Sequence, residues 1–119
     1  MKIKALSIVA PNGSKIASGE KIIEVRSWKP DLRPDEDLLI VENSIYLRNP
    51  EDSDPNGKGV AIIRVKNVRE FLRADIPDAC ASRWEPGYYS WELDLRRRVS
   101  SAINVPATRG IYEVEFDPD

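Results

Sequence analysis

The sequence lacks histidine altogether and contains a single cysteine, Cys80, among its 119 residues. These shortages exclude a zinc site of the usual kind and any Ser-His-Asp or Cys-His relay, because each needs histidine or several cysteines. A lone cysteine forms no internal disulfide, which agrees with a reducing compartment. Acid–base chemistry therefore rests on Lys, Glu, Asp or Tyr. We predict no metal or cofactor, apart from carboxylate-bound Mg²⁺ if the protein acts as a ribonuclease.

Long apolar runs are also missing. The run from Leu38 to Val41 is among the longest, whereas a helix that crosses a bilayer needs about 20 apolar residues. Close to the N-terminus, Ser7 and Pro11 interrupt the apolar stretch that a signal peptide would need. We therefore predict no membrane partner and a cytoplasmic location.

The sequence also lacks an excess of positive charge, because its net charge is −2. This value argues against a strongly basic protein that binds nucleic acid without specificity. Lysine and arginine are nevertheless segregated: residues 1–34 hold seven against three acidic residues, residues 35–55 one against seven, and residues 56–73 five against one. Either a fold gathers the basic segments on one face, or they are ordinary solvated surface charge.

The residues that are present fit one globular domain spanning residues 1–119. Apolar residues make up 41% and charged residues 32% of the chain, which is a globular and not a disordered balance. Apolar periodicity predicts strands at residues 3–9, 21–28, 38–42, 60–65, 88–95 and 111–116, a short helix ending at Ser18, and a helical turn at 68–72. Residues 48–59 are predicted to be a polar loop, either a lid or an insertion, and residues 74–86 to be irregular. Several short strands indicate a small closed or half-closed barrel.

One stretch of the chain carries a recognisable pattern. Gly19-Glu20-Lys21-Ile22-Ile23-Glu24-Val25-Arg26 resembles the G-x-K-x-x-E-x-R motif of the ASCH domain, which is named for homology to a transcription coactivator. The flanking sequence resembles the same family at the opening strand of residues 5–8 with its proline at 11, at the R-x-W of residues 26–28, at the aromatic strand of residues 87–93, and at the last strand from residue 110.

This resemblance implies an α+β, mostly β fold, a PUA-like mixed pseudo-barrel of six or seven strands with one or two short helices. It also implies a cleft beside the first helix and RNA binding. Some small bacterial members are similar to amidohydrolases that act on N4-acetylcytidine, and others to metal-dependent ribonucleases. The amidohydrolases use a lysine base at the position of Lys21, a threonine nucleophile where this chain has Glu24, and a later glutamate. Because the threonine is replaced here, and Ser27 is predicted on the opposite strand face, enzymatic activity stays an open question, with Lys21 and Glu24 as the catalytic candidates.

The motif residues also suit ligand binding. Lys21 is suited to phosphate oxygens as a point charge. Glu24 is suited to a base amino group and Arg26 to phosphate or carbonyl oxygens, although an ion pair that closes the barrel floor explains these two residues equally well. Lys21 and Glu24 face the same way only if the strand begins irregularly after Gly19. Trp28 is a candidate for stacking on a base, and Lys29 for a phosphate contact.

The later aromatic segment supplies the remaining candidates. Tyr89 and Trp91 are predicted to lie in the core, which turns Tyr88 and Ser90 outward together with Glu92. Either Glu85 or Glu92 replaces the later glutamate of the hydrolases. The predicted ligand-binding residues are Lys21, Glu24, Arg26, Trp28, Lys29, Glu85 and Tyr88.

Three functions therefore follow from the sequence. The first is a binding domain for RNA or a modified nucleoside with a positively charged cleft. The second is a small hydrolase, and the third a protein-interaction domain, which the negative net charge favours. The sequence does not indicate an oligomeric state.

Overall fold

The chain forms eight strands and two short α-helices in a computed structural model that describes residues 1–117, apart from the side chains of residues 100–102. Residues 118 and 119, the last two of the predicted domain, lie outside the described residues. In chain order the elements are β1 (Lys2–Val9), α1 (Asn12–Ser18), β2 (Ile23–Arg26), β3 (Leu38–Asn43), β4 (Ser53–Asp54), β5 (Lys58–Glu70), a 3-10 turn (Arg73–Asp75), α2 (Ile76–Ala79), β6 (Tyr89–Asn104), β7 (Ala107–Thr108) and β8 (Ile111–Glu115).

A six-stranded mixed sheet forms the body of the molecule, in the order β2-β6-β5-β3-β1-β8. The β1–β3 pair is parallel and the other pairs are antiparallel. The long β5–β6 ladder shifts register at three places, near Gly59, Ile62 and Val65, and such bulges bend and twist a sheet. The strands β4 and β7 form a separate small ladder. This architecture confirms the predicted α+β, mostly β pseudo-barrel of six or seven strands with one or two short helices: six strands form the main sheet, and the small ladder adds two very short ones.

The core lies on both faces of β3. Leu38 and Ile40 belong to one buried cluster, and Leu39 and Val41 belong to another. Strands that are covered on both faces read as continuous apolar runs, and the sequence of β3 has this form. Burial on both sides fixes the sheet, in which β1 and β2 carry several of the cleft residues.

The helices are short, and each contributes a buried residue to the core, Ile16 from α1 and Ala79 from α2. Gly19 ends α1 with a φ of 85°, a left-handed conformation that glycine adopts without strain. The amide of Lys21 then donates to the carbonyl of Lys15 at 3.0 Å, so regular pairing starts only at Ile23. Neither helix of the described chain has the length and apolar character that a membrane crossing requires.

Three sequence-based assignments are wrong. The predicted helical turn at 68–72 is strand up to Glu70, because these residues pair with β6 and tertiary pairing overrides a weak local preference. The segment 74–86 is not wholly irregular, since it begins with the end of the 3-10 turn and α2. The loop 48–59 contains β4 and the start of β5, and the buried Asp54 accepts a hydrogen bond from the amide of Asn56 at 2.9 Å.

Gly57 lies where a side chain does not fit. A Cβ atom there would lie 2.4 Å from the carbonyl oxygen of Val105 and 2.8 Å from Cγ1 of Val41. We expect Gly57→Ala to lower the free energy of unfolding by about 2–3 kcal/mol, because the obstacle is backbone and must shift. Urea unfolding measures the loss. Gly87→Ala is the control, since its φ is 82° with open space around it, which predicts only about 1 kcal/mol. A smaller loss at position 57 than at position 87 would contradict this reasoning.

Candidate functional site

An open cleft of about 800 Å³ lies beside β2, between the start of α1 and two loops. One loop follows β3 and the other follows α2. The polar or aromatic side chains that line it are Ser7, Asn12, Lys21, Glu24, Arg26, Trp28, Asn43, Tyr46, Phe71, Ser82, Arg83, Glu85, Tyr88 and Arg109. The volume falls within the range of about 300–1,000 Å³ that small-molecule sites occupy.

Three charged side chains meet at the floor of this cleft. The Lys21 Nζ atom lies 3.2 Å from Oε1 of Glu24, and Nε of Arg26 donates to Oε2 of the same carboxylate at 2.7 Å. Lys21 and Glu24 are each only 6% exposed, while Arg26 is partly exposed. Buried charges persist in proteins when they are paired and hydrogen-bonded. The cluster holds two cations and one carboxylate, so its local charge is positive.

Neighbouring backbone holds each cation in place. Lys21 Nζ also donates to the carbonyl of Ala79, at the end of α2, and a terminal helix carbonyl is a favourable acceptor for a cation. Arg26 donates through Nη2 to the carbonyl of Ser7 in β1 at 3.2 Å. Lys21 and Glu24 meet because the chain enters β2 irregularly after Gly19, as the sequence required.

A second network holds α2 against the sheet. Arg69 donates to both carboxylate oxygens of Asp75, at 2.7 and 2.9 Å, and through Nε to Glu92 at 2.6 Å. Asp75 also accepts the amide of Leu72 at 2.9 Å and the hydroxyl of Ser90 at 3.0 Å. These hydrogen bonds, chiefly those from Arg69, hold the pKa of Asp75 down at about 2, and the pKa of the Arg69 guanidinium is raised. The network therefore fixes the segment that carries the Ala79 carbonyl.

The sequence profile of the ASCH domain matches residues 6–105. The chain belongs to the ASCH domain family. A solved structure of similar fold is the crystal structure of a mutant of ZmASCH from Zymomonas mobilis, with a TM-score of 0.56 and 14% sequence identity over 85% of this chain and 72% of that chain. No curated protein matches the sequence.

The three central motif residues of this ASCH domain occupy one place. Lys21, Glu24 and Arg26 all line the cleft, and both cations contact the carboxylate of Glu24. Both oxygens of Glu24 already accept from protein cations. A ligand that reaches the floor therefore meets cationic donors first, which favours phosphate or carbonyl oxygens as its contact atoms.

Of the two neighbouring candidates Trp28 and Lys29, only Trp28 lines the cleft. Trp28 lines the cleft but packs edge-on against Trp91, with ring centroids 5.0 Å apart, and its carbonyl accepts from Nε1 of Trp91. Lys29 is not among the residues that line the cleft, and its Nζ lies 5.2 Å from the centroid of the Tyr89 ring. The geometry therefore brings Trp28 to the site, whereas Lys29 makes a cation–π contact elsewhere.

Of the two later carboxylates, Glu85 lines the cleft, together with Tyr88. The Oε1 atom of Glu85 lies 2.6 Å from Nη2 of Arg83. Glu92 pairs with Arg69 instead, in the network behind α2. Of these two carboxylates, Glu85 is therefore the one that lies in the cleft. It lies at the rim and not at the floor.

The alternation predicted that Ser90 faces outward, and this prediction is wrong. Ser90 is 0% exposed, and its hydroxyl donates to Asp75. The expected polar position is buried because the 3-10 turn and the start of α2 cover it. Trp91 is fully buried, and Tyr89 packs partly buried against the same core cluster, as predicted.

Several cleft residues had no sequence-based assignment, among them Tyr46, Arg83 and Arg109. These three lie in loops, where neither period two nor period 3.6 applies. The only available signal was an isolated tyrosine in a polar stretch. Among the described residues, no group of three or more acidic or cysteine side chains is arranged to hold a metal ion.

Proposed function

We propose that this ASCH domain binds single-stranded RNA or a modified nucleoside in the cleft beside β2. The buried cluster of Lys21, Glu24 and Arg26 at the cleft floor carries the proposal. Lys21 and Arg26 donate to a phosphate or carbonyl oxygen of the ligand, and Glu24 fixes both donors in position. Paired and buried donors lose little conformational freedom on binding, so the contact is preorganised.

The rim of the cleft supports a ligand that carries phosphate. Arg83 and Arg109 are exposed at the rim, and guanidinium groups match phosphate oxygens with two parallel hydrogen bonds. With the floor cluster, the cleft lining holds four cations against the two carboxylates of Glu24 and Glu85, so its charge is positive although the chain as a whole carries a net charge of −2. Local and not overall charge therefore attracts the ligand.

Hydrolysis of an acylated cytidine or of RNA is the alternative. Glu24 occupies the position of the family's threonine nucleophile, and both of its oxygens accept from cations. The nearby hydroxyl of Ser7 donates to the carbonyl of Thr108 at 2.7 Å, so its proton already has an acceptor. Binding is thus the function that the geometry supports best, and an activity assay decides between the two.

We expect Lys21→Met to weaken binding at least ten-fold, because it removes a charged donor while preserving most of the side-chain volume. Fluorescence anisotropy with a labelled single-stranded RNA octamer at low salt measures the affinity, and calorimetry with N4-acetylcytidine tests the nucleoside. The wild-type affinity for RNA should fall as the salt concentration rises.

Lys2→Met is the matched control, since Lys2 is exposed and lies outside the cleft. Equal weakening by both substitutions would contradict the proposed site. Release of cytidine from N4-acetylcytidine, or RNA cleavage with Mg²⁺, abolished by Lys21→Met, would favour the hydrolase. A folded wild-type protein that binds neither probe would leave the protein-interaction alternative.

A further inference from the structure

Tyr46 differs from the other aromatic residues of the cleft in its exposure. Phe71 is buried, Tyr88 packs against the cluster that contains Phe71, and Trp28 packs on Trp91. Tyr46 is 75% exposed. Among the described cleft residues it is therefore the aromatic ring with a face free for a ligand.

The backbone around Tyr46 is held on both sides. The side-chain amide of Asn43 donates to the carbonyl of Ile45. On the other side, Nη1 of Arg109 donates to the carbonyl of Arg48 at 2.8 Å, and Leu47 packs against the core cluster around Leu39 and Val41. The tyrosine side chain itself is largely exposed, although its backbone is held. An anchored segment that exposes a large aromatic ring presents contact area at low cost in conformational entropy.

We infer that Tyr46 stacks on the base of the bound nucleotide, while the floor cations hold its phosphate or carbonyl oxygen. This inference rests on the proposed function and specifies how the ligand is held: its base contacts Tyr46, and its oxygen acceptor contacts the floor cations. Stacking on an aromatic side chain is tolerant of base identity, so Tyr46 contributes affinity for bases in general. The floor cluster, in contrast, donates hydrogen bonds to an oxygen acceptor of the ligand. The two contacts therefore respond to different parts of the ligand.

The test compares two labelled probes of equal charge: a single-stranded RNA octamer and an octamer of the same sugar-phosphate backbone without bases. We expect Tyr46→Ala to weaken binding of the RNA about ten-fold or more and to leave binding of the abasic octamer unchanged. Tyr46→Phe retains the π face and should bind RNA like the wild type. Ser44→Ala, in the same loop but outside the cleft lining, is the control and should change neither affinity by more than two-fold.

Several results would overturn the inference. Equal weakening for both octamers would assign Tyr46 to loop structure or backbone contact. Unchanged RNA affinity in Tyr46→Ala, alongside a loss in Lys21→Met, would remove the stacking role and leave the proposed function intact. If the wild type binds neither octamer and does not bind N4-acetylcytidine, both proposals are overturned. Thermal unfolding of each variant verifies that it is folded, which the exposure of Tyr46 leads us to expect.

Discussion

Glu24→Ala is expected to lower the free energy of unfolding by about 3 kcal/mol, because it leaves the buried ammonium of Lys21 beside Arg26 without a counter-charge. Removal of one partner of a buried pair costs about 3–5 kcal/mol in general, and the partial exposure of Arg26 places this site at the lower end. Among the described residues, Lys21 then retains the carbonyl of Ala79 as its acceptor. Urea unfolding at neutral pH measures the change.

Two further variants, Lys21→Met and Lys21→Met/Glu24→Gln, test whether the loss of stability comes from the unpaired charge of Lys21. Lys21→Met leaves Glu24 paired with Arg26, so its cost should be clearly smaller than that of Glu24→Ala. The double variant Lys21→Met/Glu24→Gln removes both members of the buried pair and keeps an amide oxygen for Arg26. Because replacement of a whole buried pair is often close to neutral, the double variant should be more stable than Glu24→Ala. The reverse order of stability would show that the pair is not electrostatically coupled.

The second large effect concerns Asp75. Asp75→Asn is expected to lower the free energy of unfolding at pH 7 by on the order of 2 kcal/mol, since the pKa of this carboxyl is lowered from 3.8 to about 2 and each pKa unit corresponds to about 1.4 kcal/mol. The loss of the charge weakens the bonds with Arg69, while Asn retains one oxygen as an acceptor. Equilibrium unfolding in urea measures the difference.

The same carboxyl predicts an acid-induced loss of stability. Its pKa is lower in the folded than in the unfolded chain, so the stabilisation is complete above about pH 5 and decreases as the pH falls through 4 toward 2. Glu92, whose pKa is lowered by the Arg69 hydrogen bond, contributes in the same direction. Asp75→Asn should flatten this part of the stability profile. Asp78→Asn is the control, because Asp78 lies in the adjoining α2 and is exposed. It should change stability by less than about 0.5 kcal/mol; an equal effect would argue against the network.

Local patterns predicted the parts of the fold that depend on neighbours in sequence. The continuous apolar run of β3 indicated burial on both faces, and Gly19 indicated the end of α1. The motif from Gly19 to Arg26 placed Lys21, Glu24 and Arg26 together, since their separation along the chain is short. Each of these features needs only local geometry and one irregular turn.

Other features depend on residues that are distant in the sequence. Ser90 is buried by Asp75, which is itself held by Arg69 on another strand, and no periodic pattern records such a contact. Residues 68–70 are strand because β6 pairs with them. Tyr46 lines the cleft from a loop that hydrogen bonds from Asn43 and Arg109 hold in position. Tertiary partners therefore decided these positions.

The position of β1 inside the sheet has a consequence for how the protein folds. Its two neighbours are β3, from the first half of the chain, and β8, at the end of the described residues. The entropy of closing a long loop must be lost before such distant segments gain any contact energy, and topologies of this kind fold slowly. During synthesis on the ribosome, the apolar edge of β1 stays without its second neighbour until β8 has emerged. The nascent chain therefore depends on late closure or on a chaperone to keep that edge from pairing with other chains.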